Sequence, residues 1–589
     1  MRPERKLFVN GKIFTSDIER PYAQAMLVED GKILWIGEDG GWPGGTEPAA
    51  ASGPAMSADT AAATNTAAVT GTAAVTGTAA ATDTAADKDR EPVRVVDLEG
   101  KRVIPGIIDA HMHPVMLAAQ AKQIPCVPPA VHSIRELQEA IRKVREEQGP
   151  DKWILAWGYD EGKLAEKRPP NRWDLDKAAA DVPVAVVRNC VHIWAVNSKA
   201  LALAGIDRNT PDPEGGQIDR DERGEPTGIL RETARLLVDR IKPETSVEEA
   251  ADNLSELSGK LFSYGITCIA EAFGETEPND YYDIYQRARE KGMAQRVALY
   301  YTWDKKLAER DFPESRTNPE EPIYIAGIKI IGDGSVSGRT AWRDKPYLGG
   351  EDCGLPTTTE EELREAGAFA RRNGVQLKVH AMGEKTMDLV ADIFAAQDSW
   401  TSGRPSVRVE HAALPTEHSM ELSAKAGLAW TSQPIFMYAE IESYLNNLGP
   451  EGTKKVYPYK TMLEKGIKLS FSSDAPATAW AVPYDPFSAM KSAALRRAYD
   501  GTDTGQDQRL PIETIIRLYT KGDQELLGIP GIGCLKEGCH ADFVVLDRDI
   551  LEIPPEEIDR AQAEAVYMDG QKVYNKIAGG AAWVDGCMD

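Results

Sequence analysis

The chain has 589 residues, with 68 Lys and Arg against 92 Asp and Glu and a net charge of -24. No basic stripe is left over to displace phosphate counterions, which argues against nucleic acid. No run of roughly 18 apolar residues crosses a membrane, and with 42% hydrophobic and 27% charged residues the chain reads as a soluble globular protein too long for one compact core.

The start, MRPERK, leads into a short alternating segment with no apolar signal-peptide region. Residues 7 to 37 alternate apolar and polar about Asn10-Gly11 and Asp30-Gly31, and both turn pairs predict hairpins. From about 46 to 88 the chain is Ala/Thr-rich and falls into hexads such as AAVTGT, with too little apolar bulk to offset ordering, so 45–92 reads as a disordered insertion. RVVDLEGKRVIPGIIDAHMH then resumes the strands.

Eight apolar runs follow one another between helical stretches: VIPGIIDAHMH, GITCIAEA (265–272), RVALYYTW (296–303), IAGIKIIGDG (325–334), VQLKVHAMG (375–383), VRVEHAAL (407–414), LAWTSQP (428–434) and IKLSFSSDAP (467–476). The stretch 360–374 has helical periodicity and ends in Asn-Gly. Strands alternating with helices predict an α/β fold, a (β/α)8 TIM barrel over 105–535. The excess between the first and second strands predicts an inserted subdomain over about 120–255, covering the substrate end of the barrel. Trp153, Trp157, Trp173 and Trp194 cluster there, as a subdomain core or as a lining for apolar N-acyl substrates. After the barrel, LKEGCHADFVVLD and AVYMDGQKVYN, with Asp569-Gly570 as a turn, return to strands. Residues 1–104 and 536–589 are expected to form one small β-sandwich from both ends of the chain.

The seven cysteines are odd in number and mostly scattered, which fits reduced thiols in a cytoplasm. Cys534 and Cys539 are the one close pair, and with no second Cys/His pair nearby they do not make a structural zinc site.

His111 and His113 stand at the end of the first barrel strand, where side chains at i and i+2 share a face. Lys329, His380, His411 and Asp474 fall near the C-terminal ends of the fourth, fifth, sixth and eighth strands, the face on which barrel active sites are built. Four of the eight histidines in the chain occupy such positions. Neutral imidazole and carboxylate suit zinc, manganese or iron. An ammonium cannot ligate a cation, so Lys329 is either carboxylated on its amine, with two oxygens to bridge two metals, or a buried lysine paired with an acid. Glu410 adjoins His411 and faces the other side of its strand, as an outer partner of the ligands or toward a helix. His132, His418 and His540 read as structural or surface residues.

VIPGIIDAHMHP, KIIGDGSVSGRTAW, VHAMGEKTMD, RVEHAAL and SSDAP, in this order and across nearly the whole chain, resemble the amidohydrolase superfamily, in the branch that includes N-substituted formamide deformylases. The resemblance implies that His111 and His113 bind one metal, that Lys329 is carboxylated and bridging, that His380 and His411 bind a second metal, and that Asp474 is ligand and general base. One or two divalent ions are implied, zinc first. His192 and Arg339 lie in segments where a substrate contact is expected, His192 by resemblance and Arg339 as a bidentate partner for a substrate carboxylate; a structural histidine and a loop-pairing arginine are the alternatives. The expected reaction is hydrolysis of a non-peptide carbon–nitrogen bond in a small molecule by metal-activated water. An esterase or lactonase, a deaminase, a decarboxylase, or an inactive barrel serving as a binding module are the competing readings. Neither nucleic acid nor membrane is an expected partner, and a homo-oligomer is left open.

Overall fold

The computed structural model describes residues 4–42 and 93–583, apart from 128–129, 150–151, 190, 192, 214–215, 244, 479, 481 and 578–579. The whole Ala/Thr-rich tract expected to be disordered, 45–92, and His192 lie outside the described residues.

The eight predicted apolar runs form one parallel sheet in chain order: Ile107–Met112, Ile266–Gly274, Arg296–Thr302, Ile323–Ile331, Gln376–Ala381, Val407–His411, Ala429–Ser432 and Lys468–Phe471. Such strands are covered on both faces, which is why they read as near-continuous apolar runs; every residue of the first is buried. The first and last strands meet at their C-terminal ends, where the Asp474 N–H donates to the His111 carbonyl at 2.8 Å and the His113 N–H to the Ala475 carbonyl at 2.7 Å. The expected barrel is thereby borne out.

The helices cover the barrel for reasons legible in the sequence. Glu360–Arg372 starts at Thr359, whose hydroxyl accepts from the Glu362 N–H while the Glu362 carboxylate returns the bond, a capping box. Leu363, Ala366, Phe369 and Ala370 form its buried face. At the N-terminal end of the barrel, Ile108, Cys268, Ala298, Tyr300 and Tyr324 pack against Leu527, Ile529 and Ile532, which plug the interior.

The insertion carries its own six-stranded sheet, in the order Gly216–Arg220, Pro226–Glu232, Ile193–Val196, Val184–Arg188, Ile154–Tyr159, Ile124–Pro125. Helix Val247–Ser263 buries Leu254, Leu257 and Leu261 in the barrel core, so the barrel layer resumes before the expected limit near 255. Trp194 is buried in the insertion with Trp153 packed beside it, whereas Trp173 is 41% exposed and belongs to no core. Lys163 ties the insertion to the barrel mouth, donating to the Ala439 carbonyl at 2.9 Å.

Two further sheets face each other across a core that includes Phe8, Met26, Ile33, Val103, Phe543 and Tyr567. One runs Lys32–Gly37, Ala25–Glu29, Arg5–Val9, Arg94–Asp97, and the other runs Gly580–Trp583, Gln571–Ile577, Ala563–Met568, Phe543–Leu546, Arg102–Pro105, Lys12–Phe14, Tyr22–Ala23. Asp30-Gly31 and Asp569-Gly570 turn hairpins as predicted, with positive φ at all four residues. Asn10-Gly11 does not. Arg5–Val9 pairs with Ala25–Glu29 and Lys12–Phe14 with Tyr22–Ala23, in different sheets, so the turn pair is a corner between the layers. A turn dipeptide specifies positive φ, and burial of Phe8 and Ile13 in one inter-layer core decides which strands it joins.

Candidate metal centre at the mouth of the barrel

The first strand reaches the site through an irregularity. Asp109 pairs with Ile269 and Met112 with Glu271, so Ala110 and His111 together stand opposite one residue. Such a bulge re-aims a side chain. Here it turns the His111 imidazole inward, fully buried. Asp109, whose carboxyl is pushed up to about 6 by burial, accepts from the Ser473 N–H at 3.1 Å and so ties the strand to the Asp474 loop.

His111 Nδ1–H donates to Glu410, which also accepts from Arg408 Nε at 2.5 Å. With Nδ1 committed, the lone pair of His111 lies on Nε2. That atom is 3.2 Å from Asp474 Oδ1 and 3.3 Å from Lys329 Nζ. Burial lowers the basicity of His111, so the ring is neutral, and its lone pair faces a carboxylate oxygen, an arrangement that a cation relieves.

His411 repeats the pattern. Gln433 Nε2 donates to Ser472 Oγ at 2.9 Å, so Gln433 Oε1 accepts from His411 Nδ1–H at 2.9 Å and leaves Nε2 as the lone pair. His380 uses the opposite nitrogen, donating Nε2–H to the Gly334 carbonyl at 3.0 Å. Burial holds His380 down to about 3 and His411 well below the usual histidine range, so both are neutral donors of a lone pair. Their ring centroids are 4.3 Å apart, and that of His411 is 4.9 Å from that of His111.

His113 completes the group, with Nε2 2.9 Å from Asp474 Oδ1. Its Nδ1 is buried without a hydrogen-bond partner, with Glu271 Oε1 3.7 Å away. Burial opposes the charge on this ring, but Asp474 and Glu271 outweigh it and raise His113 to about 9. Asp474 is held well below the usual carboxylate range against its burial, with the charged His113 donating to it. His411 and Asp474 both hold positive φ, 74° and 57°, strain of order 1–3 kcal/mol per residue that the surrounding structure sustains.

Lys329, 2% exposed on the fourth strand, is lowered to about 8 by burial, against the pull of Glu410 and Asp474. Among the described residues, donor atoms of His111, His411 and Asp474 lie within 4.8 Å of one another. Neutral imidazoles with fixed tautomers, converging on an ionised carboxylate, are the donor set a divalent ion requires, so the residues fit a metal. Phe436 stacks on His411 with centroids 5.9 Å apart, and Phe273 meets His113 edge-on at 6.0 Å, giving the centre apolar flanks.

The structure thus brings together all six residues singled out in the sequence. The Arg339 guanidinium donates to the Leu348 carbonyl at 2.8 Å and lies over the Tyr347 ring, the loop-pairing arrangement. Sequence reasoning passed over Glu271, Asp109, Gln433, Arg408 and Lys378. Each is a polar residue in or at the end of a barrel strand, and that polarity inside an apolar run was the available signal. Glu410 is an outer partner of a candidate ligand, and it points into the barrel, not toward a helix.

Residues 94–574 match the model of the amidohydrolase family. The chain belongs to the amidohydrolase family. This amidohydrolase is 29% identical over 494 residues to YtcJ of Bacillus subtilis (strain 168), which carries an amidohydrolase name, covering 82% of this chain and 90% of that protein. It is 27% identical over 592 residues to the N-substituted formamide deformylase of Arthrobacter pascens, covering 97% and 98%. Its fold is that of an uncharacterized metal-dependent hydrolase from Pyrococcus horikoshii OT3, with a TM-score of 0.69 at 24% identity over 94% of this chain and 99% of the other. Among the described residues, no helix is long and apolar enough to cross a membrane.

Proposed function

We propose that this amidohydrolase cleaves a non-peptide carbon–nitrogen bond in a small-molecule amide, formamide or N-acyl compound, using one or two divalent ions. The observation that carries the reading is the gathering of the His111, His113 and His411 imidazoles about the ionised Asp474 carboxylate at the barrel mouth. The relation to an N-substituted formamide deformylase along nearly the whole chain supports the choice of bond. His111, His113, His380, His411 and Asp474 would hold the metal, zinc first and manganese or iron as alternatives. Lys329 would join as its carbamate, for which a neutral amine adds to carbon dioxide and releases a proton.

When bound, a divalent ion supplies Lewis acidity, lowering the pKa of a water toward 7 and polarising a carbonyl oxygen. The protein's own share is proton traffic and positioning. Asp474 accepts the proton of the attacking water and returns it to the leaving nitrogen, so one carboxylate serves both halves of the reaction. Glu410 and Gln433 hold the His111 and His411 tautomers. Phe436 and Phe273 keep bulk water from the flanks of the centre.

The test is a panel of N-substituted formamides, N-acyl amines, esters, lactones and ring amines, assayed with the metal-loaded full chain. Amine release from the formamides or N-acyl amines supports the reading. Turnover confined to the other classes, or none with stoichiometric metal bound, overturns it. Replacing His111 and His113 together by alanine is expected to reduce metal content from stoichiometric to trace by elemental analysis; retained stoichiometric zinc would refute the ligand assignment.

In the metal-free protein the proton between His113 and Asp474 should also be visible in stability. A histidine raised from about 6.5 to about 9 stabilises the fold fully below 6.5, and that contribution is lost as pH rises through 9. The thermal midpoint of metal-free protein is therefore expected to fall between pH 6.5 and 9 relative to His113→Asn, while zinc uptake strengthens over the same interval as the proton leaves. A pH-independent difference between the two proteins would refute the assigned ion pair.

A further inference from the structure

Far from the barrel mouth, the segment that leads from the last barrel helix into the terminal sheets carries two cysteines with no role in the site. Cys534 Sγ and Cys539 Sγ are 3.4 Å apart, in contact. Cys534 is 8% exposed and Cys539 is partly exposed, so a small oxidant can reach one thiol while the other waits behind it. The turn between them is held at both ends: the Leu535 N–H donates to the Thr15 carbonyl, the Gly538 N–H to the Ile33 carbonyl, and the Cys539 N–H to the Lys536 carbonyl. Gly538 takes φ of 86°, which folds the turn back on itself.

We propose that Cys534 and Cys539 are a peroxide-responsive dithiol that closes reversibly to a disulfide across this turn. The sulfurs must approach from 3.4 Å to about 2.05 Å. The attacking and resolving roles follow from the surroundings. Cys539 is the more exposed thiol, and hydrogen bonding from Cys534, aided by the Lys536 N–H and by Lys521, lowers it to about 7, whereas Cys534 is pushed up. The Cys539 thiolate attacks one peroxide oxygen, the O–O bond breaks, and hydroxide leaves to become water. Cys534 then attacks the sulfenic sulfur, the S–O bond breaks, and the second oxygen leaves as water with the remaining thiol proton. Two thiols are oxidised by two electrons and one peroxide is reduced to two waters. Among the described residues no other two cysteines touch, and Cys126 and Cys268 are buried with their thiols pushed up.

The experiment treats the intact full chain with hydrogen peroxide, alkylates the remaining thiols, digests with trypsin and reads the peptides by mass. Trypsin cuts after Lys536, between the two cysteines, so the disulfide is expected as a covalent peptide pair two hydrogens lighter than its parts, lost on reduction. In Cys534→Ser, Cys539 is expected to accumulate as a sulfenic acid trapped by dimedone. In Cys539→Ser, Cys534 is expected to stay alkylatable. Complete alkylation of both thiols at a dose that oxidises free glutathione in the same tube would overturn the proposal, as would dimedone labelling of Cys534 in Cys539→Ser at the rate seen for Cys539 in Cys534→Ser.

Discussion

Replacing Asp474 by asparagine is expected to lower kcat by about 10²–10⁴-fold, the range that general acid–base catalysis contributes, while much of the metal is retained. Asparagine keeps an oxygen at the position of Oδ1 and nearly the same volume. It cannot accept a proton from the attacking water or return one to the leaving nitrogen. The neighbours predict a second signature. His113 owes its raised basicity mainly to Asp474 and Glu271 acting against burial, so with a neutral amide at 474 its proton is lost at lower pH. In the metal-free variant the stability change between pH 6.5 and 9 should therefore shrink. Steady-state kinetics with elemental analysis separates the cases: an active Asp474→Asn enzyme would sink the general-base assignment, and an inactive enzyme without metal would make Asp474 a ligand first.

Glu410→Gln is the second large effect, and it acts at one remove. Glu410 lies on the inner face of the sixth strand between His111 and Arg408, all three buried. Its carboxylate is held well below the usual range because Arg408, His111 and Lys378 outweigh its burial. Loss of such an outer partner typically costs about 10–100-fold in metal affinity, because the imidazole loses the neighbouring negative charge that raises its basicity. That loss is expected for Glu410→Gln, measured by competition against a chelator. Glu410→Ala should also destabilise the fold by about 3–5 kcal/mol, since it leaves the Arg408 charge buried and uncompensated. Arg408 already carries one buried nitrogen, Nη1, without a partner, while Nη2 donates to the Ala110 carbonyl at 2.6 Å. Glu410→Gln protein that binds zinc as tightly as the parent would show that Glu410 serves packing alone.

The barrel was legible in the sequence because a parallel strand covered on both faces must be apolar along its whole length, and eight such runs recur between amphipathic helices. The six candidate residues were legible for a related reason. A histidine, lysine or aspartate at the end of an apolar run is costly to bury without a partner, so its presence at five strand ends marks a shared site. The hairpins at Asp30-Gly31 and Asp569-Gly570 followed from local positive φ.

Local rules could not say which strands a turn joins or which side chains meet across the barrel. Asn10-Gly11 satisfies the same turn chemistry, yet it bridges two sheets because its flanking strands bury Phe8 and Ile13 in a core shared between layers. The bulge that aims His111, the choice of lone-pair nitrogen at His111, His380 and His411, and the place of Glu410 depend on contacts between residues up to 299 positions apart. Composition and periodicity determined that a barrel forms and which residues gather at its mouth. Only the tertiary structure decided how each is oriented, because orientation is set by hydrogen bonds from neighbouring strands that no local window contains.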